Sequence, residues 1–313
     1  METPEIPRTP ERRSVPRTIT PLSGVPAASM TTPQFPLKQN QIEDRVRSAL
    51  DEDGAFNDIT TIATVVSDRR SRATLTARQN GVIAGLPFAL EAFRLLDPKA
   101  SIRVEHEDGA HVKQGEPVIF VTGHARGLLS AERVALNYIQ RLSGIATLTC
   151  KYVERVQHTN AKILDTRKTT PGWRALEKYA VRAGGGTNHR MTLSAAVLIK
   201  DNHLAALDGD VGLAVTRARE LAPPGTKIEV ECDNLEQVED AVAANADIIL
   251  LDNMSTDTLR EAVKLVSGRA ILEASGGVNL DTVRGIAETG VDWISVGALT
   301  HSAAAMDLAL DFD

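Results

Sequence analysis

The chain contains few cysteines and no long apolar run, and these absences exclude several classes of protein. Its 313 residues include only two cysteines, Cys150 and Cys232, which stand far apart and outside any CxxC arrangement. This usage rules out a disulfide framework or a zinc–thiolate site and fits a reducing compartment. No apolar run approaches the ~18–20 residues that span a bilayer, and the N-terminus lacks the basic-then-apolar layout of a signal peptide. We therefore expect a cytoplasmic protein that does not insert into membranes.

The sequence also lacks an excess of positive charge and the common nucleotide-binding signatures. A formal net charge of −6 argues against nucleic acid or a membrane surface as a partner. The chain has no Walker A motif, no GxGxxG that opens a helix after a strand, and no GxSxG. Nucleotide hydrolysis and dinucleotide binding are therefore disfavoured. A hydrophobic content of 42% is nevertheless sufficient for a full core.

The N-terminal part divides into a tail and a small mixed domain. Residues 1–36 hold eight of the fourteen prolines, mixed with Arg, Thr and Ser, and such a stretch buries too little apolar surface to offset its ordering entropy. We predict a disordered tail there. Residues 37–142 alternate between helical and short strand patterns, which predicts an α+β domain on a small antiparallel sheet. A long helix is predicted over 131–157, with Ser130 as its N-cap.

Beyond this helix, strand-length apolar runs recur with helical segments between several of them. The runs cover residues 161–164, 196–199, 228–230, 248–251, 270–272 and 293–296. Apolar strands that alternate with helices indicate a parallel sheet covered by helices. Six such strands predict an incomplete β/α barrel over residues 143–305.

Polar side chains follow every one of these strands, and in β/α barrels the carboxyl ends of the strands converge on one face. The cations are Arg167, Lys168, His189, Arg190 and Lys200, with Arg133 on the preceding helix as a further candidate. Two acids, Glu231 and Asp252, follow neighbouring strands and are natural Mg²⁺ ligands, directly or through water. The glycine-containing segments include residues typical of phosphate-binding turns, namely Ser275, Gly276, Gly277 and Gly297. This set predicts a site for a phosphorylated, strongly anionic ligand.

An ordered run of seven motifs resembles the quinolinate phosphoribosyltransferase family. The motifs lie at residues 165–172, 184–190, 198–203, 229–231, 250–253, 273–277 and 295–301. The resemblance extends from about residue 42 to the C-terminus. It implies an α/β fold in which an α+β sandwich domain precedes an incomplete β/α barrel. It also implies the conversion of quinolinate and phosphoribosyl pyrophosphate to nicotinate mononucleotide, pyrophosphate and CO₂, a step of NAD biosynthesis. The implied cofactor is Mg²⁺.

Further expectations follow from the resemblance. It implies a homodimer in which Arg133 reaches the neighbouring active site, and a higher oligomer is compatible with it. The implied catalytic residues are Lys168, Lys200, Glu231 and Asp252, and Glu231 and Asp252 are also the implied metal ligands. The implied substrate-binding residues are Arg133, Thr166, Arg167, Lys168, His189, Arg190, Lys200, Glu231, Asp252, Ser275, Gly276, Gly277, Gly297 and His301. Alternating apolar residues near the C-terminus predict a strand at about 306–313 that returns to the N-terminal sheet.

Three other functions remain open at this stage. A class I aldolase-like barrel would use Lys200 to form an imine. A related transferase, either one that acts on nicotinate itself or a molybdenum-locus homologue of this family, is the second alternative. A non-catalytic barrel would bind phosphate without turnover. The density of cations favours a dicarboxylate substrate.

Overall fold

The computed structural model describes residues 33–313 of the chain. The predicted tail over residues 1–36 therefore lies outside the described residues except for its last four. Within those four, Phe35 is partly buried and packs edge-on against Phe88 and Tyr179, with ring centroids 5.6 and 4.7 Å apart. None of the helices in the described part combines the length and apolarity that a membrane crossing needs.

The N-terminal part combines three helices with five strands. The elements are α1 (Gln39–Glu52), a 3₁₀ turn (Ala55–Asn57), α2 (Ile59–Thr64), β1 (Arg70–Ala77), β2 (Gly81–Val82), α3 (Leu86–Leu96), β3 (Ser101–Val104), β4 (His111–Val112) and β5 (Pro117–His124). Helix α1 buries Ile42, Val46 and Leu50, which lie on one side of the helix at intervals of four residues. Residues 37–142 thus contain the mixture of helices and short strands that their sequence pattern predicts.

Most elements of the C-terminal part alternate between parallel strands and helices. They are α4 (Ala125–Val156), β6 (Lys162–Leu164), α5 (Arg174–Ala183), β7 (Val197–Ile199), α6 (Asp201–Ala205), α7 (Val211–Leu221), β8 (Ile228–Cys232), α8 (Leu235–Ala243), β9 (Ile248–Asp252), α9 (Thr256–Val266), β10 (Ile271–Ser275), α10 (Val283–Ala287), β11 (Trp293–Ser295), α11 (Ala298–His301) and β12 (Leu308–Phe312). Side-chain caps define the start of several helices. At the start of α8, for example, the side-chain oxygen of Asn234 accepts a hydrogen bond from the backbone N–H of Gln237 at 3.0 Å.

Two sheets organise the described residues, beside the short β2–β4 pair. One is antiparallel, in the order β12-β1-β5-β3, so the last strand of the chain pairs with the first strand of the N-terminal part. The other has six parallel strands in the order β6-β11-β10-β9-β8-β7. Strands β6 and β7, consecutive along the chain, lie at opposite edges of this sheet. The barrel is therefore incomplete, as predicted, and Thr187 makes a single bridge to Leu164 at the open edge of β6.

The long helix α4 starts earlier than the sequence predicts. It begins at Ala125, directly after β5, so Ser130 is not its N-cap. The hydroxyl of Ser130 donates instead to Asp58 at 3.0 Å, and Asp58 is the residue that caps α2 through the Thr61 N–H. The prediction was wrong because a serine at the start of an apolar pattern has the same local signature whether its partner is near or distant in sequence.

Candidate active site

An open cavity of about 610 Å³ lies at the carboxyl ends of the parallel strands. Its lining consists of Thr166, Arg167, Lys168, His189, Arg190, Leu198, Lys200, Glu231, Leu250, Asp252, Asn253, Glu273, Ser275, Gly276, Gly277 and Ser295. Eleven of the fourteen residues predicted to bind substrate are in this set. The structure therefore brings together side chains that are separated by more than one hundred residues of sequence.

Neighbouring strands direct the two predicted acids into the cavity. Glu231 lies opposite Leu250 in the β8–β9 pair, and Asp252 lies opposite Ser275 in the β9–β10 pair. Residues two apart on a strand point to the same face, so Leu250 and Asp252 share the inner face of the sheet. Fully apolar neighbours on the buried strands hold the register, because a slip by one residue would turn these acids into the helical layer.

Each of the two acids has a polar partner at the cavity. Lys200 forms an ion pair with Glu231, and the side-chain amide of Asn253 donates to Asp252 at 2.6 Å. The carboxylate oxygens are hard donors at the edge of an open cavity, which is the ligand type that Mg²⁺ prefers. The donor set at Glu231 and Asp252 therefore fits a magnesium ion held directly or through water.

His189 occupies the cavity between two buried glutamates. Its Nε2 lies 3.2 Å from Glu229 and 3.4 Å from Glu273, and both carboxylates are almost fully buried. Burial alone lowers the pKa of His189, but the two glutamates outweigh it and raise that pKa to about 10. Burial raises the pKa of Glu229, and its hydrogen bond with His189 only partly offsets this effect. His189 and Glu229 therefore interact electrostatically at the inner wall of the cavity.

The spacing of His189, Glu229 and Glu273 also matches that of a metal site. The raised pKa of His189 means that its ring is protonated, so Nε2 carries a proton and has no lone pair for a metal. Nε2 donates to Glu229 Oε1 at 3.5 Å and lies within ion-pair distance of Glu273, whose Oε2 has no hydrogen bond within residues 33–313. We interpret the cluster as an ion-paired anchor for His189.

The cationic side of the cavity retains donors for a ligand. The Nε of Arg167 is buried and has no hydrogen-bond partner among residues 33–313. A buried donor without a partner is costly, and an anion in the cavity would satisfy it. Arg190 and Lys200 approach the cavity from the segments before and after β7.

The turn after β10 approaches the neighbouring strand end closely. Gly276 has φ +92°, and a β-carbon there would lie 2.1 Å from Asn253 Oδ1 and 2.9 Å from its backbone nitrogen. Gly277 also has a positive φ, of +58°, but open space around its Cα. Positive φ angles at both glycines are typical of backbone turns that bind phosphate.

Three predicted residues do not line the cavity. Arg133 is exposed on α4, away from the cavity of its own chain. Gly297 lies just behind Lys168, since a β-carbon there would come 3.3 Å from Lys168 Cδ and 3.1 Å from His301 Nε2. His301 is exposed and contacts Ser302 through Nδ1 at 2.6 Å. Gly297 therefore packs against Lys168 and His301 and does not line the cavity itself, and neither does His301.

Sequence reasoning assigned no role to several residues at or behind the cavity. Glu229 and Glu273 occur inside apolar strands, and a carboxylate in such a run is a detectable signal of a buried functional group. Asp165 and Lys178 are fully buried as an ion pair beneath the site. Lys178 lies within an amphipathic helix pattern, which offered no local sign of its burial.

Comparison with known proteins agrees with this architecture. The N-terminal domain model of quinolinate phosphoribosyl transferase matches residues 58–143, and the C-terminal domain model matches residues 145–311. The nicotinate-nucleotide pyrophosphorylase [carboxylating] of Mycobacterium leprae is 46% identical over 276 residues, covering 86% of this chain and 96% of that protein. The probable enzyme of the same name from Bacillus subtilis is 44% identical over 260 residues, covering 83% and 89%.

Solved structures give the same result. The nicotinate-nucleotide pyrophosphorylase from Francisella tularensis superposes with a TM-score of 0.83 at 40% identity, covering 90% of this chain and all of that one. This likeness confirms the predicted fold class, an incomplete barrel beside an α+β sandwich domain. Together, the two matched domain models, the identity along most of the chain and the shared fold show that the chain belongs to the quinolinate phosphoribosyltransferase family.

Proposed function

We propose that this protein transfers the phosphoribosyl group of phosphoribosyl pyrophosphate to quinolinate with loss of CO₂. The products are nicotinate mononucleotide, pyrophosphate and CO₂, a step of NAD biosynthesis. The observation that carries the proposal is the cavity itself, in which Arg167, Lys168, Arg190 and Lys200 face two acids at neighbouring strand ends. Family membership supports the same reaction.

Charge complementarity explains why such a cavity suits this pair of substrates. Quinolinate has two carboxylates, and the donor has a phosphate and a pyrophosphate. Arginine pairs with these groups in a bidentate fork, and lysine acts as a compact charge. We assign Arg167, Lys168, His189, Arg190 and Lys200 to this neutralisation. Thr166 and the Ser275–Gly277 turn supply hydroxyl and backbone N–H donors to phosphate oxygens.

The first chemical step is displacement at the ribose. The ring nitrogen of quinolinate forms a bond to the anomeric carbon while the bond to pyrophosphate breaks, through a state with oxocarbenium character. We assign Glu231 and Asp252 to stabilise that state and to bind ribose hydroxyls, and Lys168 and Lys200 to stabilise the departing anion. Pre-placed charges of this kind lower the barrier because they need no reorganisation during the reaction.

Decarboxylation then needs no covalent help from the protein. The alkylated ring nitrogen is positively charged, so it stabilises the electron pair left on the adjacent carbon when the C–CO₂ bond breaks. A proton takes the place of CO₂ on that carbon. The chain's own part is to orient the carboxylate, a role that we assign to the half-buried side chains of His189 and Arg190.

We propose Mg²⁺ as the cofactor, held by Glu231 and Asp252 directly or through water. The support is their donor chemistry and their position at neighbouring strand ends. When bound, the ion neutralises negative charge on the pyrophosphate of the donor. Removal of divalent ions with a chelator should abolish turnover, and added Mg²⁺ should restore it.

We further propose that the protein works as a homodimer in which Arg133 completes the neighbouring site. Exposed apolar side chains on and just before α2 support this, because Phe56, Ile59 and Ile62 are 48%, 74% and 47% exposed. Asp58, the N-cap of α2, accepts a hydrogen bond from Ser130, which lies three residues before Arg133 on α4. An apolar patch of this kind is typical of a surface that another protein chain covers.

We also propose that the protein works in the cytoplasm. Its two cysteines, Cys150 and Cys232, are free thiols at least half-buried in the fold, which suits a reducing compartment. Fractionation of cells expressing a tagged chain should recover it with cytosolic markers.

The decisive experiment supplies Mg²⁺ and phosphoribosyl pyrophosphate with either quinolinate or nicotinate. We expect equal amounts of CO₂ and nicotinate mononucleotide from quinolinate, and no mononucleotide from nicotinate. Product from nicotinate alone would remove the carboxylating assignment. Borohydride treatment with a keto substrate covers the aldolase alternative, because a trapped adduct at Lys200 would contradict the transferase mechanism.

A further inference from the structure

Helix α5 contains two adjacent side chains of opposite charge, Glu177 and Lys178, and both are 0% exposed. Neither lines the cavity. Consecutive residues on a helix point in different directions, so the pair reaches two different segments. A buried charge is stable only when its partners satisfy it. The identity of those partners therefore shows what each charge holds in place.

Lys178 holds the segment that presents His189 and Arg190. Its Nζ forms an ion pair with Asp165 and donates to the carbonyls of His189 at 2.9 Å and Arg190 at 3.3 Å. These acceptors use all three N–H bonds of the ammonium group. Asp165 in turn accepts the backbone N–H of His189 at 2.9 Å. One buried ion pair thus fixes the peptide groups on both sides of His189.

Glu177 holds the other cationic segment. It accepts the backbone N–H of Thr170 at 3.0 Å and the Thr170 hydroxyl at 2.8 Å. Arg141 on α4 donates to Glu177 at 2.9 Å and to the Thr300 carbonyl at 2.5 Å. The Thr300 hydroxyl donates to the Lys168 carbonyl at 2.7 Å. The segment that presents Lys168 is therefore tied to α5, α4 and α11.

We propose that Glu177 and Lys178 are positioning residues for the transferase reaction, each fixing one of the two segments whose cations bind the anionic substrates. The physical need for such anchors is mutual repulsion. Arg167, Lys168, His189 and Arg190 converge on one cavity, and like charges at short range push their segments apart when no anion is bound. The two anchors hold the cations in their binding arrangement before substrate arrives. The kinetic consequences rest on the proposed function.

Two nearly isosteric variants test the proposal by kinetics. Lys178→Met and Glu177→Gln each remove one charge with little change of volume. We expect each to lower kcat/KM for quinolinate on the order of 100-fold, the effect of misplacing binding groups by about an ångström. Leu259→Ala is the matched control, because it opens a cavity in the buried face of α9 and does not touch the site. It should lower the melting temperature and leave kcat/KM per folded molecule unchanged.

A double variant separates positioning from simple destabilisation. Lys178→Met leaves the buried Asp165 without its cation, whereas Asp165→Asn combined with Lys178→Met contains no unpaired charge. The double variant should recover thermal stability yet keep the low kcat/KM, since the carbonyls of His189 and Arg190 still lack their donor. If activity recovers together with stability, the role of Lys178 is only structural and the proposal fails.

A spectroscopic measurement tests the geometry without turnover. In protein labelled with ¹⁵N-histidine, Lys178→Met should shift the ring signals of His189, assigned by their loss in His189→Gln. Glu177→Gln should leave those signals in place, because Glu177 contacts the other segment. Unchanged His189 signals in Lys178→Met, or equal shifts in both variants, would contradict the assignment. This readout remains valid even if the wild-type protein does not convert quinolinate, which would count against the proposed function instead.

Discussion

The turn after β10 contains two neighbouring glycines that differ in one physical respect. Both have a positive φ, which costs an alanine about 1–2 kcal/mol. A methyl group on Gly277 meets nothing within 4 Å, but on Gly276 it meets Asn253 Oδ1 at 2.1 Å and the Asn253 backbone nitrogen at 2.9 Å. The Asn253 backbone nitrogen cannot rotate away as a side-chain atom can, so Gly276→Ala has an added overpacking cost of about 1–3 kcal/mol.

The turn can relieve that overlap only by moving away from its place at the cavity, where we assign it to phosphate binding. Gly276→Ala should therefore lose about 10- to 100-fold more kcat/KM for phosphoribosyl pyrophosphate than Gly277→Ala, at roughly 1.4 kcal/mol per factor of ten. The assay is initial-rate kinetics at saturating quinolinate, with melting temperatures for both proteins. Equal losses in the two variants would show that the turn tolerates the added carbon and would refute this reasoning.

Three further predictions follow from the charged groups. Lys200→Met should raise the barrier by about 2–4 kcal/mol, seen as a fall in kcat with the melting temperature nearly unchanged, and an unaltered kcat would remove Lys200 from the catalytic set. Mixing the inactive variants Arg133→Ala and Lys200→Met should restore about a quarter of wild-type activity. Half of the randomly formed dimers contain one chain of each variant, and one of the two active sites in such a dimer is intact. No recovery of activity would exclude a shared site. Burial raises the pKa of Asp247, but hydrogen bonds from the Ile228 N–H, Lys227 and Arg219 outweigh this effect and hold that pKa at about 2. The contribution of ionised Asp247 to the free energy of unfolding is therefore full above about pH 4 and is lost as the pH falls towards 2. Urea unfolding should therefore find Asp247→Asn less stable than wild type at pH 5 and equal to it near pH 2; a gap that persists at pH 2 would contradict this assignment.

Apolar strands made the barrel predictable. Runs such as Ile248–Leu251 are apolar on both faces because helices cover one side and the barrel interior the other. Each run is followed at once by polar residues, and parallel strands end on the same side, so Glu231 and Asp252 could be placed together from sequence alone. The structure confirms the fold and gathers these residues in one cavity.

Long-range partners were not predictable in the same way. Ser130 carries the local signature of an N-cap, yet its partner is Asp58, 72 residues away. Lys178 looks like a surface lysine in an amphipathic helix, yet it is fully buried because Asp165 and two carbonyls surround it. Both side chains have chemistry that allows several partners, and only the packing of distant segments selects one.

The division between the two sources of information follows from the range of the interactions. Periodicity, turn residues and the order of polar residues after strands are local, so the sequence by itself determined the strands, the barrel class and most of the residues that converge at its mouth. Tertiary structure alone decided that β6 pairs with β11 and not with β7, that Glu229 and Glu273 enclose His189, and that Arg133 lies outside its own cavity. Those outcomes depend on which buried charges pair and which strand edges form hydrogen bonds between distant segments. A stretch of neighbouring residues does not contain that information.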